Sequence, residues 1–354
     1  MLEVETSDHE RSILLVDIMN AMGFSKNERE IQRNGTHLLN VHMNIFVNTD
    51  KYTVILTGST SEGMCGGCYG HKSPHDVDGL INCRHIKLCT PRPNIANNLP
   101  LLPLDGNAEY NEYVFVEEDD NFPGYVKLSF AEVKHNSHDM IHYAIKYDNK
   151  LYLSNSMMKG LLYVQLVKEM KGLDPPFDRQ HIDVNGPAVT FYLKTNEGLP
   201  KGCDNVYCMH YDMWPNSANS FITRPKPNNW PSKSLLENIK SQGCDVVAVG
   251  HHDSQNNDIQ WRISFPGERS LLLDLNEVQI LCYALIKIIL KENLNTSQRE
   301  VVSSFHIKHV MFWCVELYSC QWVYSNYIDY TLQNIKTQTK QNFYLHQSDL
   351  FTNR

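Results

Sequence analysis

The chain lacks any apolar run approaching the ~18 residues that a membrane-spanning helix needs. Lys287 interrupts one candidate stretch and Glu316 another. It also lacks an excess of positive charge: 32 Lys and Arg stand against 40 Asp and Glu, a formal charge of −8. That balance argues against a protein that coats nucleic acid by bulk charge and leaves room for a local basic face only. There is no internal repeat and no low-complexity tail, so solenoids and long solvated tails drop out. The first residues, Met1-Leu2-Glu3-Val4-Glu5, are acidic and lack the basic-then-apolar layout of a secretory signal. Ten cysteines in 354 residues are too sparse for a disulfide scaffold. Several sit in apolar stretches, as reduced core thiols do. The expected setting is reducing and cytoplasmic, without a membrane.

What is present is an ordinary globular composition, 42% hydrophobic and 20% charged, enough for one large core or two lobes. Helical spacing of apolar residues runs over 8–22 and from Ser25 to Val47, with Gly23 between. Strand patterns follow at Tyr52 to Leu56, Val77 to Ile81, Tyr125 to Phe130, Ala188 to Lys194 and Asn205 to Tyr211. Residues 84–112 are rich in Pro and Asn and read as an irregular connection. Beyond Trp214 the texture changes. Four prolines precede a short helix from Leu235 to Gln242, strands at Val246 to Val249 and Ile259 to Phe265, and long helices at Leu275 to Leu294 and Ser304 to Tyr324. The expected architecture is α+β and bilobal. A mixed-sheet lobe with a long N-terminal helix spans 1–212, a mainly helical lobe spans 213–354, and a cleft lies between them.

Residues 58–80 read GSTSEGMCGGCYGHKSPHDVDGL. Asp76 and Asp78 are two apart, so on a strand both carboxylates leave one face. Two like charges so close repel unless cations sit between them. Hard oxygen donors suit Mg²⁺ or Mn²⁺, and a pair of such ions is what nucleotidyl transfer requires. Gly58-Ser59 at the end of the preceding strand offers a tight turn, an N–H and a hydroxyl for a triphosphate. A third carboxylate is needed from a later strand. Asp204 is the candidate, with a simple turn Asp as its alternative. The interior of the same stretch, Cys65, Cys68, His71 and His75, has the spacing of a small zinc site. Four glycines, Gly63, Gly66, Gly67 and Gly70, also fit a loosened loop that merely carries thiols and imidazoles. The second reading is preferred, and a structural zinc is not expected.

At this point the residues resemble the cyclic GMP-AMP synthase-like receptors of the male-abnormal (Mab) domain nucleotidyltransferases, invertebrate type. The resemblance runs from about Leu14 to Tyr324. It rests on Leu56-Thr57-Gly58-Ser59 with Glu62, Asp76-Val77-Asp78, and Gly186-Pro187-Ala188-Val189-Thr190 before Asp204. Further on it rests on Trp214-Pro215, Arg224, Trp230-Pro231-Ser232, Gly243-Cys244, Trp261-Arg262-Ile263-Ser264-Phe265, Cys282-Tyr283 with Lys287, and Ser303-Ser304-Phe305-His306-Ile307-Lys308. It implies a bilobal nucleotidyltransferase fold and an enzyme that cyclises two nucleoside triphosphates, such as ATP and GTP, into a second messenger of innate immunity. On that pattern Asp76, Asp78 and Asp204 hold two metal ions and are catalytic. Thr57, Gly58 and Ser59 grip the donor triphosphate, Lys287 with Ser303 and Ser304 contacts it, and Arg262 serves the acceptor. Phe305 stands where a tyrosine often stacks on a base, keeping the ring face and losing the hydroxyl. Glu268 lies one residue early relative to the family's acidic position.

The chain departs from its vertebrate DNA-sensing relatives in one respect. Residues after the W-R-I-S-F strand run straight into a helix, without a zinc-binding insertion. Double-stranded RNA is therefore expected over double-stranded DNA as the activating nucleic acid. Basic residues open to that role are Lys26, Arg29 and Arg33 on the second helix, and Arg224, Lys226 and Lys233 beyond it. An ordinary solvated face is the alternative for each. The competing functions are an inactive binding protein of the same fold and a templateless polymerase.

Overall fold

The computed structural model describes residues 8–46, 52–65, 77–90, 112–130, 139–170, 177–193, 201–293 and 304–317. The chain opens with α1 (Asp8–Met19) and α2 (Lys26–Phe46). They meet at a kink over Asn20–Phe24, where Gly23 takes φ +83°. Strand β1 (Tyr52–Thr57) runs into the short helix α3 (Gly58–Glu62). Then come β2 (Val77–Cys83), β3 (Ile86–Cys89), β4 (Glu112–Glu118), β5 (Tyr125–Phe130), β6 (Ala144–Tyr147) and β7 (Lys150–Leu153). Helix α4 (Asn155–Met170) precedes β8 (Phe177–Asn185), β9 (Ala188–Leu193) and the long β10 (Lys201–Tyr211). The remainder is α5 (Asn219–Thr223), α6 (Lys233–Ser241), β11 (Cys244–Val247), β12 (Gln260–Ser264), α7 (Gly267–Leu273), α8 (Glu277–Asn293) and α9 (Ser304–Leu317). The expected α+β class is what the structure has.

One mixed sheet organises the strands in the order β1-β2-β10-β11-β12-β5-β4-β3, with β9 and β8 branching from β10 and β7 and β6 from β5. Strand β10 is its hub. It pairs parallel with β2 along one edge, while β9 takes the first half of the other edge and β11 the second half. Its second half is deeply set, with Tyr207, Cys208, Met209 and Tyr211 buried, whereas Asp204, Asn205 and Val206 are only half-buried. Because β11 and β12 lie past residue 212 and pair back to β10 and β5, the sheet is continuous across the expected boundary between the two lobes.

Strand β1 is an edge strand, and edges need covering. Two asparagines on α2 do this. Asn44 exchanges both hydrogen bonds with Val54, at 2.7 and 2.8 Å, and Asn40 Oδ1 accepts from the Leu56 N–H at 2.7 Å. Helices α8 and α9 are apolar almost all round, as buried helices are. Tyr283, Ala284, Ile286, Met311 and Phe312 are fully buried. Cys83, Cys203, Cys208, Cys244, Cys282 and Cys314 are buried, as core thiols are, and form no disulfide among the described residues. Among the described residues no helix is long and apolar enough to cross a membrane.

Candidate active site

Asp78 and Asp204 are partners in register on the parallel strands β2 and β10, so their side chains leave the same face of the sheet side by side. Thr190 on β9, the partner of Asp204 on its other flank, donates its hydroxyl to Asp204 Oδ1 at 2.5 Å. Across β1, Thr57 is the partner of Asp78, and its Oγ1 donates to the Asp78 carbonyl at 3.4 Å. Gly58 follows with φ +71°, and a Cβ there would overlap the Asp78 carboxylate. The turn thus needs glycine for its backbone angle and again for its approach to the acid. Helix α3 closes at Gly63, φ +73°, whose N–H bonds back to Thr60, while Met64 N–H bonds to Ser59 O at 2.8 Å.

The C-terminal helices bring three cations to this turn. Lys287 of α8 donates to Ser59 Oγ at 2.5 Å and to Met64 O at 3.3 Å. Arg269 of α7 donates to Ser61 O at 3.3 Å. Lys308 of α9 donates to Glu62 Oε1 at 2.7 Å and lies 2.9 Å from Glu268 Oε1. Burial alone would lower the Lys308 ammonium, but Glu268 and Glu62 hold it well above its usual value. Burial alone would raise the Glu268 carboxyl, and Lys308 with His309 brings it below the usual range instead. The Glu268 carboxylate is therefore engaged with α9. Lys308, Arg269, Thr190 and Glu62 were not assigned roles from the sequence. Of these only Lys308 carried a signal in the sequence, a charge within an apolar helix.

Arg262 sits farther along the same face. Cys208 pairs with Val247, Val247 with Arg262, and Arg262 with Tyr125. Directly paired residues share a face, and so do Asp204 and Cys208 on β10. Arg262 lies ~13 Å along the strands and ~10 Å across them from Asp204 on ideal spacings. Its Nε is buried without a hydrogen-bond partner, and burial lowers its guanidinium from the ordinary value. A buried cation in that condition favours an anionic partner. Phe305 is half-buried at the start of α9, its ring 3.9 Å from that of His309. Asp76 and Ser303 lie outside the described residues, as do Cys68, His71 and His75; Ser304 is the first residue of α9. Cys65 lies outside any metal cluster of the described residues, with its Sγ 3.3 Å from Thr60 Oγ1.

Asp78 and Asp204 offer hard carboxylate oxygens on adjacent strands, and the missing Cβ of Gly58 lets the Asp78 carboxylate lie against the turn, so the donor chemistry fits a divalent ion. A separate group, His251, His252 and Asp253, has ligand atoms within 4.8 Å of one another on the β11–β12 connection. There His251 Nδ1 already accepts the Asp253 N–H at 3.2 Å. The six cations proposed for nucleic acid divide. Arg29 is buried in a bidentate pair with Glu277, and Arg224 and Lys226 converge on the buried Glu316. Lys26 and Lys233 are exposed and Arg33 half-buried.

Residues 101–274 match the family model described as the Mab-21 protein nucleotidyltransferase domain. Residues 101–274 thus carry a Mab-21-type nucleotidyltransferase domain. Protein mab-21-like 3 of Danio rerio is 27% identical over 142 residues, which cover 38% of this chain and 33% of that protein. The aligned stretch thus spans about a third of the relative's length. The matched domain contains Asp204, Arg262 and Glu268, and the mixed sheet with its helices is the α+β nucleotidyltransferase fold.

Proposed function

We propose that this protein joins two nucleoside triphosphates into a cyclic dinucleotide second messenger, releasing pyrophosphate twice, when a nucleic acid activates it. The observation that carries the reading is the register of Asp78 with Asp204, flanked by a glycine turn that Lys287 grips from the opposite side. Asp78, Asp204 and Asp76 would hold two divalent ions, Mg²⁺ or Mn²⁺, which would supply activation of the attacking ribose hydroxyl and neutralisation of the leaving pyrophosphate. Thr190 fixes the orientation of Asp204. Thr57, Ser59 and the Gly58 backbone grip the donor triphosphate, and the Lys287 ammonium counters its charge from α8, with Ser303 and Ser304 as further phosphate contacts. Arg262 serves the acceptor nucleotide, and the ring of Phe305 offers a stacking face. Glu268 is left out of nucleotide binding because its carboxylate is held on Lys308. Helix α7 begins three residues after β12, so no insertion of the DNA-sensing kind interrupts it. That favours double-stranded RNA as activator, with Lys26, Arg33 and Lys233 as the cations left to meet it.

The test incubates purified protein with the four nucleoside triphosphates, Mg²⁺ or Mn²⁺, and long double-stranded RNA or DNA, followed by mass analysis. A single cyclic product that Asp204→Asn abolishes is expected, since the charge is lost while the shape is kept. A ladder of oligonucleotides would point to a linear polymerase. If no nucleic acid elicits product and Asp204→Asn changes nothing, a non-catalytic binding protein of the same fold is left.

A further inference from the structure

The five residues of α3 are held by one cation from each of three C-terminal helices: Ser59 by Lys287, Ser61 by Arg269 and Glu62 by Lys308. In the first two contacts the partner oxygen is neutral. The third is an ion pair, and Lys308 carries a second carboxylate, Glu268 of α7. All three charged residues are buried, where an ion pair is strong and demanding of geometry. His309 Nδ1 donates to Phe305 O, and its Nε2 lies 4.0 Å from Glu268 Oε2 without a hydrogen-bond partner. Burial pushes the His309 imidazole below its ordinary value. Two acids, Glu62 and Glu268, thus share the one ammonium of Lys308.

We propose that the Glu62–Lys308–Glu268 triad positions the donor-triphosphate turn, with Glu62 and Lys308 acting as positioning residues that touch no substrate. This rests on the nucleotidyltransferase reading. Glu62 lies three residues from Ser59 on a helix closed at both ends by left-handed glycines, so a shift of Glu62 is transmitted to Ser59. From the other side α2 braces the same unit: Thr36 Oγ1 donates to Thr60 O at 3.2 Å, and Gly63 packs on the Arg29 backbone. With α2 fixed, the height of the turn above Asp78 is set by where α9 holds Glu62.

The second acid makes the idea testable without breaking the fold. Glu62→Gln and Glu268→Gln each remove one charge, and each leaves Lys308 with one acid in a neutral pair. Only Glu62→Gln unties α3. ATP with Mg²⁺ is the probe, titrated calorimetrically into the full chain. KM and kcat of product formation and thermal unfolding are measured alongside. The expected result is that Glu62→Gln weakens ATP affinity and raises KM by about tenfold, as a misplaced binding group does. Glu268→Gln should have a clearly smaller effect at a matched unfolding midpoint. Equal effects of the two variants, or none from Glu62→Gln, overturn the positioning role, provided wild type binds ATP and Asp204→Asn abolishes product. If wild type neither binds ATP nor makes a product that depends on Asp204, the nucleotidyltransferase reading falls, and the positioning role with it.

Discussion

Helix α9 carries the centres of two buried charge clusters built with opposite signs. Near its start Lys308 sits between Glu62 and Glu268, and in its last turn Glu316 sits between Arg224 and Lys226. The centres are eight residues apart, ~12 Å along the helix. Their reach differs. Glu316 ties α9 to the connection just after α5, with Arg224 bonding it through Nε and Nη2 at 2.6 and 2.8 Å and lying flat over Trp313 at 4.0 Å. Lys308 reaches back to α3, beside the candidate site. An apolar helix cannot leave either charge unpartnered. One end is anchored within the C-terminal half, and the other carries that anchor to the turn. The same device serves attachment in one place and alignment in the other.

Removing the central charge is the largest perturbation of either cluster, because two like charges are then left buried together. Lys308→Met and Glu316→Gln should each lose ~3–5 kcal/mol of stability, read as urea midpoints with unchanged slope. A near-neutral result for either would mean that water or a shift in ionisation compensates, and the two clusters would no longer be counterparts. The turn served by the first cluster can also be broken directly. Gly58→Ala forces a side chain into the Asp78 carboxylate at φ +71°, strain on the order of 1–3 kcal/mol. It should abolish product, whereas Gly160→Ala, with nothing within 4 Å, should be neutral or gain up to ~1 kcal/mol as a helix substitution. Product formed by Gly58→Ala at the wild-type rate would remove the turn from the site.

These two clusters also mark what was legible in the sequence. Asp78 and Gly58 were readable because strand alternation and a glycine at a strand end are local signals, whereas Asp204 was a candidate with a turn Asp as its alternative. Lys287 was readable because a lone cation in an apolar helix is itself an anomaly. The same reasoning applied to Lys308 and Glu316, but their partners Glu62 and Arg224 lie far off in the chain, and pairing at that range has no local pattern. Arg29 shows the limit from the other side. On α2 it has the spacing of a solvated basic face, yet it is 2% exposed because Glu277 on α8 and the Phe24 carbonyl take its guanidinium. The expected strand at Tyr125–Phe130 matched because Tyr125, Val126, Leu128 and Phe130 are apolar and buried. The β4 strand Glu112–Glu118 and the β8 strand Phe177–Asn185 are rich in charge. They are strands because β5 and β9 pair with them. The break expected near residue 212 followed the change in composition. The sheet crosses it because β10 had an edge left for β11 to fill.

The smallest expected effect lies in the second cluster. Lys226 Nζ is 3.1 Å from Glu316 Oε2 without an aligned hydrogen bond. Burial lowers its ammonium to about 8, with Glu316 offsetting part of that. Its folded value is thus below the unfolded value of about 10.4. Below pH 8 the buried charge imposes its full cost. Between pH 8 and about 10.4 the folded state sheds the proton before the unfolded state does, so wild-type stability rises relative to a variant lacking the amine. Lys226→Met keeps the apolar stem and leaves Arg224 and Glu316 as a neutral pair. It should therefore equal or exceed wild type by ~1 kcal/mol near pH 7, where a buried ion is often replaced without loss, and the margin should shrink by pH 9.5. Denaturant unfolding of both proteins at the two pH values decides it. A margin that grows with pH would mean that Glu316 holds Lys226 charged, and the two acids around Lys308 would then be the only surplus charge of this pair of clusters.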